Sequence, residues 1–231
     1  MEGGYTEVRF KPETAPHRTA RKIKIVIAII DYDAGNLTSV ARALTYLDCP
    51  NQITCDAETI LAAERVIFPG VGAAKATMQT LQKRGLNQVL TDCYRSGKPM
   101  LGICIGIQIL FEHSEEEDAE CLGLLPGQVK KYPATDIETR TETLKVPQIG
   151  WNEVYQTQSH PIFADVPNPA HFYFVNSYYP VPEAPDIVIG RTKYGLEFCS
   201  TIAHDNLIAT QFHLEKSGRV GLKMLNNFLN L

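Results

Sequence analysis

The sequence predicts an α/β protein, a single domain built on a mixed, mostly parallel sheet flanked by helices, with a late antiparallel portion. Three observations carry this. The β-branched run over residues 23–30 reads as a strand buried on both faces, the pattern of a parallel strand. Strand-like and helix-like segments then alternate as far as residue 112, which implies right-handed crossovers between parallel strands. From Gly127 onward short apolar strands replace that alternation.

The elements follow in chain order. After the first strand comes the turn Asp31-Tyr32-Asp33-Ala34-Gly35-Asn36. Val40, Ala43, Leu44 and Leu47 then recur at helical spacing, with Asn36 placed as the N-cap. A weaker strand is expected over 52–55 and a short helix over 57–63. The next strand, Arg65-Val66-Ile67-Phe68, is expected to stop at Pro69-Gly70-Val71-Gly72. Helices are expected over 74–83 and 86–96, a strand over 100–103 and a helix over 105–112. In the second half, strands are read over 172–175, 187–191, 198–204 and 207–212, with Asp205-Asn206 as a hairpin turn. The closing helix, 219–229, carries Val220, Leu222, Met224, Leu225 and Phe228, a stripe that core packing explains. Residues 115–118, Glu-Glu-Glu-Asp, read as a solvated acidic loop.

Composition narrows the function classes. The 231 residues are 44% apolar and 21% charged, enough for one sizeable core without staples. A net charge of −4 supplies no field for a polyanion, so a dedicated nucleic-acid binder is not expected. No run approaches the roughly 20 apolar residues of a membrane helix. The six cysteines form no CxxC pair, so no metal site is expected and reduced thiols are the default. Residues 1–22 have neither an apolar stretch nor a cleavage-like segment, and they include Glu2, Glu7 and Glu13. They read as a flexible polar tail ahead of a domain over 23–231. The expected compartment is the cytoplasm, with a plastid stroma the alternative.

The segment that carries chemistry is Gly102-Ile103-Cys104-Ile105-Gly106-Ile107-Gln108, a Gly-x-Cys-x-Gly pattern at a strand-to-helix junction. It is the cysteine counterpart of a serine nucleophile elbow. Glycines on both sides allow a tight turn that projects the thiol from the sheet end. The new helix offers free N–H groups and a positive dipole end, which favour thiolate. The Ile105 N–H is placed to donate to a developing oxyanion. The bland alternative is a small apolar cysteine in a core strand.

A cysteine nucleophile needs a base, and the base an orienter. Of six histidines, His213 stands out in Gln211-Phe212-His213-Leu214-Glu215-Lys216-Ser217. It follows an apolar strand, and Glu215 falls on the same side if the segment is extended. His171 and His204 lie near strand ends without an acid at that spacing. Pro69-Gly70-Val71-Gly72 is a third piece, a glycine-rich turn able to aim N–H groups at the same crevice, or else a plain strand-to-helix turn.

The elbow and the His-x-Glu segment together resemble the class I (triad) glutamine amidotransferases. Asp31-Tyr32-Asp33-Ala34-Gly35-Asn36-Leu37, Pro69-Gly70-Val71-Gly72, Gly150-Trp151-Asn152 and the run from Tyr173 to Tyr179 are similar to the glutaminase subunits of imidazole glycerol phosphate synthases. The resemblance implies that Cys104 attacks the side-chain amide of glutamine and forms a glutamyl thioester. It makes His213 the proton carrier and Glu215 its orienter. Gly70, Gly72, Gln108, Ser177 and Tyr178 match positions that hold glutamine, and the Val71 and Ile105 backbones match the oxyanion hole. No cofactor is implied. The implied partner is a (β/α)8 cyclase acting on a phosphoribosyl-formimino carboxamide nucleotide and receiving ammonia through a protected channel. Asn36, Trp151, Asn152, Tyr173 and Lys216 fall where that family meets the cyclase. A barrel alone takes about 250 residues, so the cyclase is expected to be a separate protein in a heterodimer.

The chain departs from the family pattern at four places. Leu214 stands where proline is usual, Asp33 where glycine is usual, and Asn176 and Gln148 where histidine is common. Three other readings stay open: a glutaminase for another acceptor, a different cysteine hydrolase or chaperone-like member of the α/β group, and a non-catalytic scaffold that keeps the fold.

Overall fold

The computed structural model describes residues 27–33, 35–137 and 143–231. The segment 1–22 read as a polar tail, and the first four residues of the expected 23–30 strand, lie outside the described residues.

In chain order the first half holds β1 (Ile27–Ile30), α1 (Leu37–Tyr46), β2 (Asn51–Thr54), α2 (Ala57–Ala62), β3 (Arg65–Gly70), α3 (Ala74–Lys83), α4 (Leu86–Arg95), β4 (Met100–Cys104) and α5 (Ile105–Gln108). The second half holds β5 (His113–Ser114), β6 (Ala119–Glu120), β7 (Gly127–Lys131), β8 (Gln148–Gln156), β9 (Ala170–Asn176), β10 (Tyr178–Pro182), β11 (Val188–Lys193), β12 (Glu197–His204), β13 (Leu207–Thr210) and α6 (Gly218–Leu229).

Nine strands form the main sheet in the order β2-β1-β3-β4-β13-β12-β11-β8-β9. Strands β2, β1, β3, β4 and β13 run parallel to one another. From β13 onward every pairing is antiparallel. The change of direction follows from the connections. The β12–β13 link is a two-residue hairpin, with Asp205 at φ 52, whereas the early strands are joined through helices.

Side-chain alternation sorts the core into two layers. Ala28 and Ile30 of β1 face one cluster with Ile60 of α2, Met78 and Leu81 of α3 and Val89 and Leu90 of α4. Ile27 and Ile29 face the other, with Val40 and Leu44 of α1 and Met224, Leu225 and Phe228 of α6. All four β1 residues are fully buried, as the unbroken apolar run requires. Crossover helices on both faces leave the carboxyl ends of β1, β3, β4 and β13 free to carry a site.

The structure corrects several sequence expectations. The helix expected over 105–112 stops at Gln108. The carbonyls that would continue it are taken by the returning chain: Leu122 N–H donates to Ile109 O at 2.9 Å, and Leu124 and Leu125 donate to Leu110 O at 2.9 and 3.0 Å. The third strand does not stop before Pro69 but runs through Gly70, in register with Cys104. A second sheet, β10-β7-β5-β6, is not foreshadowed by the sequence pattern, because β5 and β6 are only two residues long and carry no periodic signal. The acidic stretch is pinned at two points. Glu115 accepts the Lys131 N–H at 2.8 Å and Glu116 the Ala74 N–H at 2.7 Å, while Glu117 and Asp118 are exposed.

Candidate active site

Cys104 sits at the β4–α5 junction with φ 59 and ψ −106, a conformation that an L residue with a side chain occupies only under constraint. The constraint comes from the glycines around it. A Cβ on Gly106 would lie 2.4 Å from the Phe68 carbonyl oxygen, so only glycine lets α5 press onto β3. The thiol is 7% exposed and is aimed toward the Val175 carbonyl, 3.7 Å away.

His213 follows β13 and is 2% exposed. Its N–H donates to the Tyr173 carbonyl at 2.9 Å, and its carbonyl accepts the Ser217 hydroxyl at 2.5 Å, so the backbone is held from β9 and from the start of α6. The segment from His213 to Glu215 is not extended: Leu214–Lys216 is a single 3-10 turn. The turn still brings His213 Nδ1 to 2.8 Å from Glu215 Oε1. Burial opposes a charge on His213. The Cys104 sulfur and the Glu215 carboxylate outweigh it, as hydrogen-bond partners and as charges, and the imidazole is pushed up to about 9.

Cys104 and His213 border a cavity of about 260 Å³ lined by Val71, Gly72, Cys104, Ile105, Gln108, Glu116, Pro147, Val175, Asn176, Ser177, Tyr178, His213 and Lys216. Most residues expected from the sequence to hold a substrate meet here: Gly72, Gln108, Ser177 and Tyr178, with both expected oxyanion positions, Val71 and Ile105. Gly70 lies behind the wall. A Cβ there would be 1.7 Å from the Tyr32 hydroxyl, which donates to the Pro69 carbonyl at 2.9 Å. Ile105 is the first residue of α5, where N–H groups have no intrahelical acceptor. Gly72 has φ 118, a backbone conformation that glycine permits.

Several contributors carry no mark in the sequence. Gln211 Oε1 accepts from Gln108 Nε2 at 3.0 Å, and Gln211 Nε2 reaches the Cys104 sulfur at 3.8 Å. Gln108 Nε2 also donates to the Tyr178 carbonyl at 3.1 Å, which fixes the amide and leaves its oxygen as the free end. Glu116, expected in a solvated loop, is the acidic residue of the cavity wall. Burial raises its carboxyl, the Ala74 N–H opposes that, and Glu117 adds to it. Tyr132 joins two departures from the family pattern: it donates to Gln148 Oε1 at 3.1 Å and accepts from Asn176 Nδ2 at 2.9 Å. No local pattern marks Tyr132, which lies just past β7, and Gln211 stands out in the sequence only as part of the segment leading to His213, with no role of its own.

Of the residues expected at a partner surface, Tyr173, Asn36 and Lys216 lie around the His213–Glu215 turn with Trp151 beside Tyr173, whereas Asn152 points to the other face of β8. Trp151 on β8 faces Tyr173 on β9 in register, with ring centroids 6.1 Å apart, and Trp151 is 57% exposed. Asn152 Nδ2 donates to the Lys193 carbonyl at 2.9 Å, and Lys216 borders the cavity itself. Asn36 stands at the start of α1 but makes no side-chain cap, contrary to expectation; it reaches Glu215 instead. His171 and His204 have no acid two residues away, as read from the sequence; their acidic neighbours are Glu153 across the β8–β9 ladder at 3.8 Å and the adjacent Asp205 at 3.4 Å, and neither histidine borders the cavity. Among the described residues no cluster of three or more histidine, cysteine or acidic side chains is arranged to hold a metal ion. No helix among them is long and apolar enough to cross a membrane.

The model of the glutamine amidotransferase class I family matches residues 28–231. A protein of Maridesulfovibrio salexigens named imidazole glycerol phosphate synthase subunit HisH is 48% identical over 203 residues, covering 88% of this chain and 95% of that one. A protein of the same name from Dehalococcoides mccartyi is 47% identical over 207 residues, covering 89% and 97%. Among solved structures, PurLQS from Thermotoga maritima aligns with a TM-score of 0.69 at 16% identity, covering 90% of this chain and 99% of the other. A glutamine amidotransferase of Thermotoga maritima aligns at 0.59 and 13% identity, covering 90% and 83%. At these identities the solved structures speak to the fold alone.

Proposed function

The chain belongs to the class I glutamine amidotransferases, and from its 46–48% identity to proteins named imidazole glycerol phosphate synthase subunit HisH we infer that it is the glutaminase subunit of an imidazole glycerol phosphate synthase, releasing ammonia from glutamine for histidine biosynthesis. The observation that carries the assignment of chemistry is the meeting of Cys104, from the end of β4, and His213, from the turn after β13, at one cavity, with Glu215 2.8 Å from His213 on its buried side.

In this reading the Cys104 sulfur attacks the side-chain carbonyl carbon of glutamine. The carbonyl oxygen takes the negative charge and faces the N–H groups of Val71 and Ile105. His213, held as imidazolium by Glu215, gives its proton to the amide nitrogen; the carbon–nitrogen bond breaks and ammonia leaves. The glutamyl thioester remains. His213 then takes a proton from water, whose oxygen attacks the thioester carbonyl, and glutamate departs as the sulfur recovers. Glutamine's α-ammonium is complementary to Glu116, and its amide N–H groups to the free Gln108 oxygen.

The partner in this reading is a separate (β/α)8 cyclase bound as a heterodimer over the rim of Asn36, Trp151, Tyr173 and Lys216. The exposed Trp151 ring beside Tyr173 supports a docking role, because large aromatic rings serve as interface anchors. Ammonia in bulk water at neutral pH is protonated and loses its nucleophilicity, so delivery through a closed complex is required. The hydrolase step belongs to this chain, the lyase step to the cyclase, and the cytoplasm suits both. Co-purification with an imidazole glycerol phosphate synthase cyclase, followed by glutaminase assay with and without its nucleotide substrate, tests partner and coupling together. Glutamine hydrolysis that rises with the nucleotide is the expected result. No association, or hydrolysis indifferent to the nucleotide, counts against the assignment.

A further inference from the structure

The first βα turn carries a residue whose side chain is committed to the site and not to its own helix. Asn36 occupies the N-cap position of α1, where an asparagine side chain ordinarily accepts a hydrogen bond from the first helical turn. It makes no such bond. Its backbone takes the left-handed conformation, φ 74 and ψ 5, and its Nδ2 donates to Glu215 Oε1 at 2.5 Å. The same oxygen lies 2.8 Å from His213 Nδ1.

The Glu215 side chain is 1% exposed, so its charge must be balanced by what touches it. Among the described residues its donors are His213 and Asn36, and Oε2 has no partner. Both donors therefore converge on the oxygen that orients the imidazole. The amide cannot be turned round without setting Oδ1 against a carboxylate oxygen, so its direction is chemically determined. The positive end of α1 lies on the same side. We propose that Asn36 is a positioning residue of the glutaminase site, extending Cys104–His213–Glu215 by one further hydrogen bond that holds the Glu215 carboxylate in place. This rests on the reading of those three residues as nucleophile, proton carrier and orienter.

The test uses the complex with its cyclase at saturating partner and nucleotide. Asn36→Ala is expected to lower the kcat for glutamine by about ten- to a hundredfold, the range for losing one hydrogen bond to a charged group, with KM within about twofold. Asn36→Asp keeps the size and the tolerance of the left-handed conformation but sets a second carboxylate against Glu215. Its kcat is expected to fall below that of Asn36→Ala. In a Glu215→Gln background, Asn36→Ala should change kcat by less than about twofold, because the two act as one unit. Binding of each variant to the cyclase is titrated directly, because Asn36 also falls at the partner rim; this sets the saturating concentration and separates a loss of docking from a loss of kcat. The proposal is overturned if Asn36→Asp retains a kcat equal to or above that of Asn36→Ala, if the loss appears in KM, or if it is additive with Glu215→Gln. Absent glutamine turnover in the wild type, or turnover that survives Cys104→Ala, overturns the underlying reading and the proposal with it.

Discussion

His213 Nδ1 and Glu215 Oε1 lie 2.8 Å apart although the residues between them form a 3-10 turn and not a strand. A strand would align the two side chains through its two-residue period. The turn does so by curling the backbone, with Leu214 at its first position and buried at 1% exposure.

That pairing makes the imidazole a titration probe. His213 is raised to about 9 against an ordinary 6.5, so its imidazolium is present at pH 7 and is lost as pH rises through about 9. Its stabilisation of the fold is complete below the unfolded value and disappears over the same rise. Glu215→Gln removes both a hydrogen-bond acceptor and a charge. The His213 pKa is expected to fall, with the Cys104 sulfur still holding part of the rise; the alkaline limb of the kcat/KM profile should move to lower pH, and kcat should drop by about a thousandfold or more. Titration of the imidazole by NMR checks the first; an unmoved His213 would show that Glu215 does not set its charge.

Leu214 occupies the first position of the turn, where proline's fixed φ is tolerated, and His213 before it is extended, as a residue preceding proline should be. Leu214→Pro is therefore expected to retain glutamine turnover within a few fold in the complex. It should cost a few degrees of Tm through lost burial of the leucine side chain. A collapse of kcat with an unchanged Tm would mean that the turn depends on leucine for its shape.

Gly106→Ala tests the packing that strains the elbow. The added Cβ would lie 2.4 Å from the Phe68 carbonyl oxygen, a backbone atom that cannot swing aside. Overpacking of this kind costs about 3 kcal/mol, a Tm drop of about 6–12 °C in a chain of this size. Loss of turnover should accompany it, since α5 must move away from β3 and take the Ile105 N–H along. Thermal melts and single-turnover assays measure the two effects separately, and a wild-type Tm would contradict the packing argument.

Glu116→Gln leaves the cavity shape nearly unchanged but removes the negative charge from its wall. KM for glutamine is expected to rise about ten- to a hundredfold with kcat little altered. Burial holds the Glu116 carboxyl above its ordinary value, so in the wild type KM should begin to rise at a higher pH on acidification than an exposed glutamate would allow. The variant should lose that pH dependence. Parallel losses in kcat would assign Glu116 a different part.

Cys104→Ala is expected to abolish glutamine-dependent turnover by the complex while ammonia-supported cyclase turnover persists. The chain without its partner is expected to hydrolyse glutamine poorly, because uncoupled hydrolysis wastes the substrate. Rapid turnover by the isolated chain, measured as glutamate release, would sink the second expectation.

Much of this protein was legible locally. The β-branched run announced a doubly covered strand, the glycines around Cys104 announced a tight strand-to-helix turn, and a histidine after an apolar strand with a glutamate two residues on announced that the two side chains meet. Each of these is a short-range pattern whose cause lies within a few residues: burial on two faces, a turn without room for Cβ, one turn of backbone. What stayed hidden depends on residues far apart in the chain. The 105–112 helix stops early because residues 122–125 return to take its carbonyls. Glu116 is a wall residue and not a loop charge because the Ala74 N–H draws it in. Asn36 forgoes its own helix cap because Glu215, at the opposite end of the sequence, comes within reach. The sequence by itself determined the fold class, which is written in local periodicity, and singled out the candidate reacting groups by their chemistry. Only the tertiary structure decided which buried polar atoms are satisfied by which, because that follows from the order in which β1, β3, β4 and β13 lie side by side.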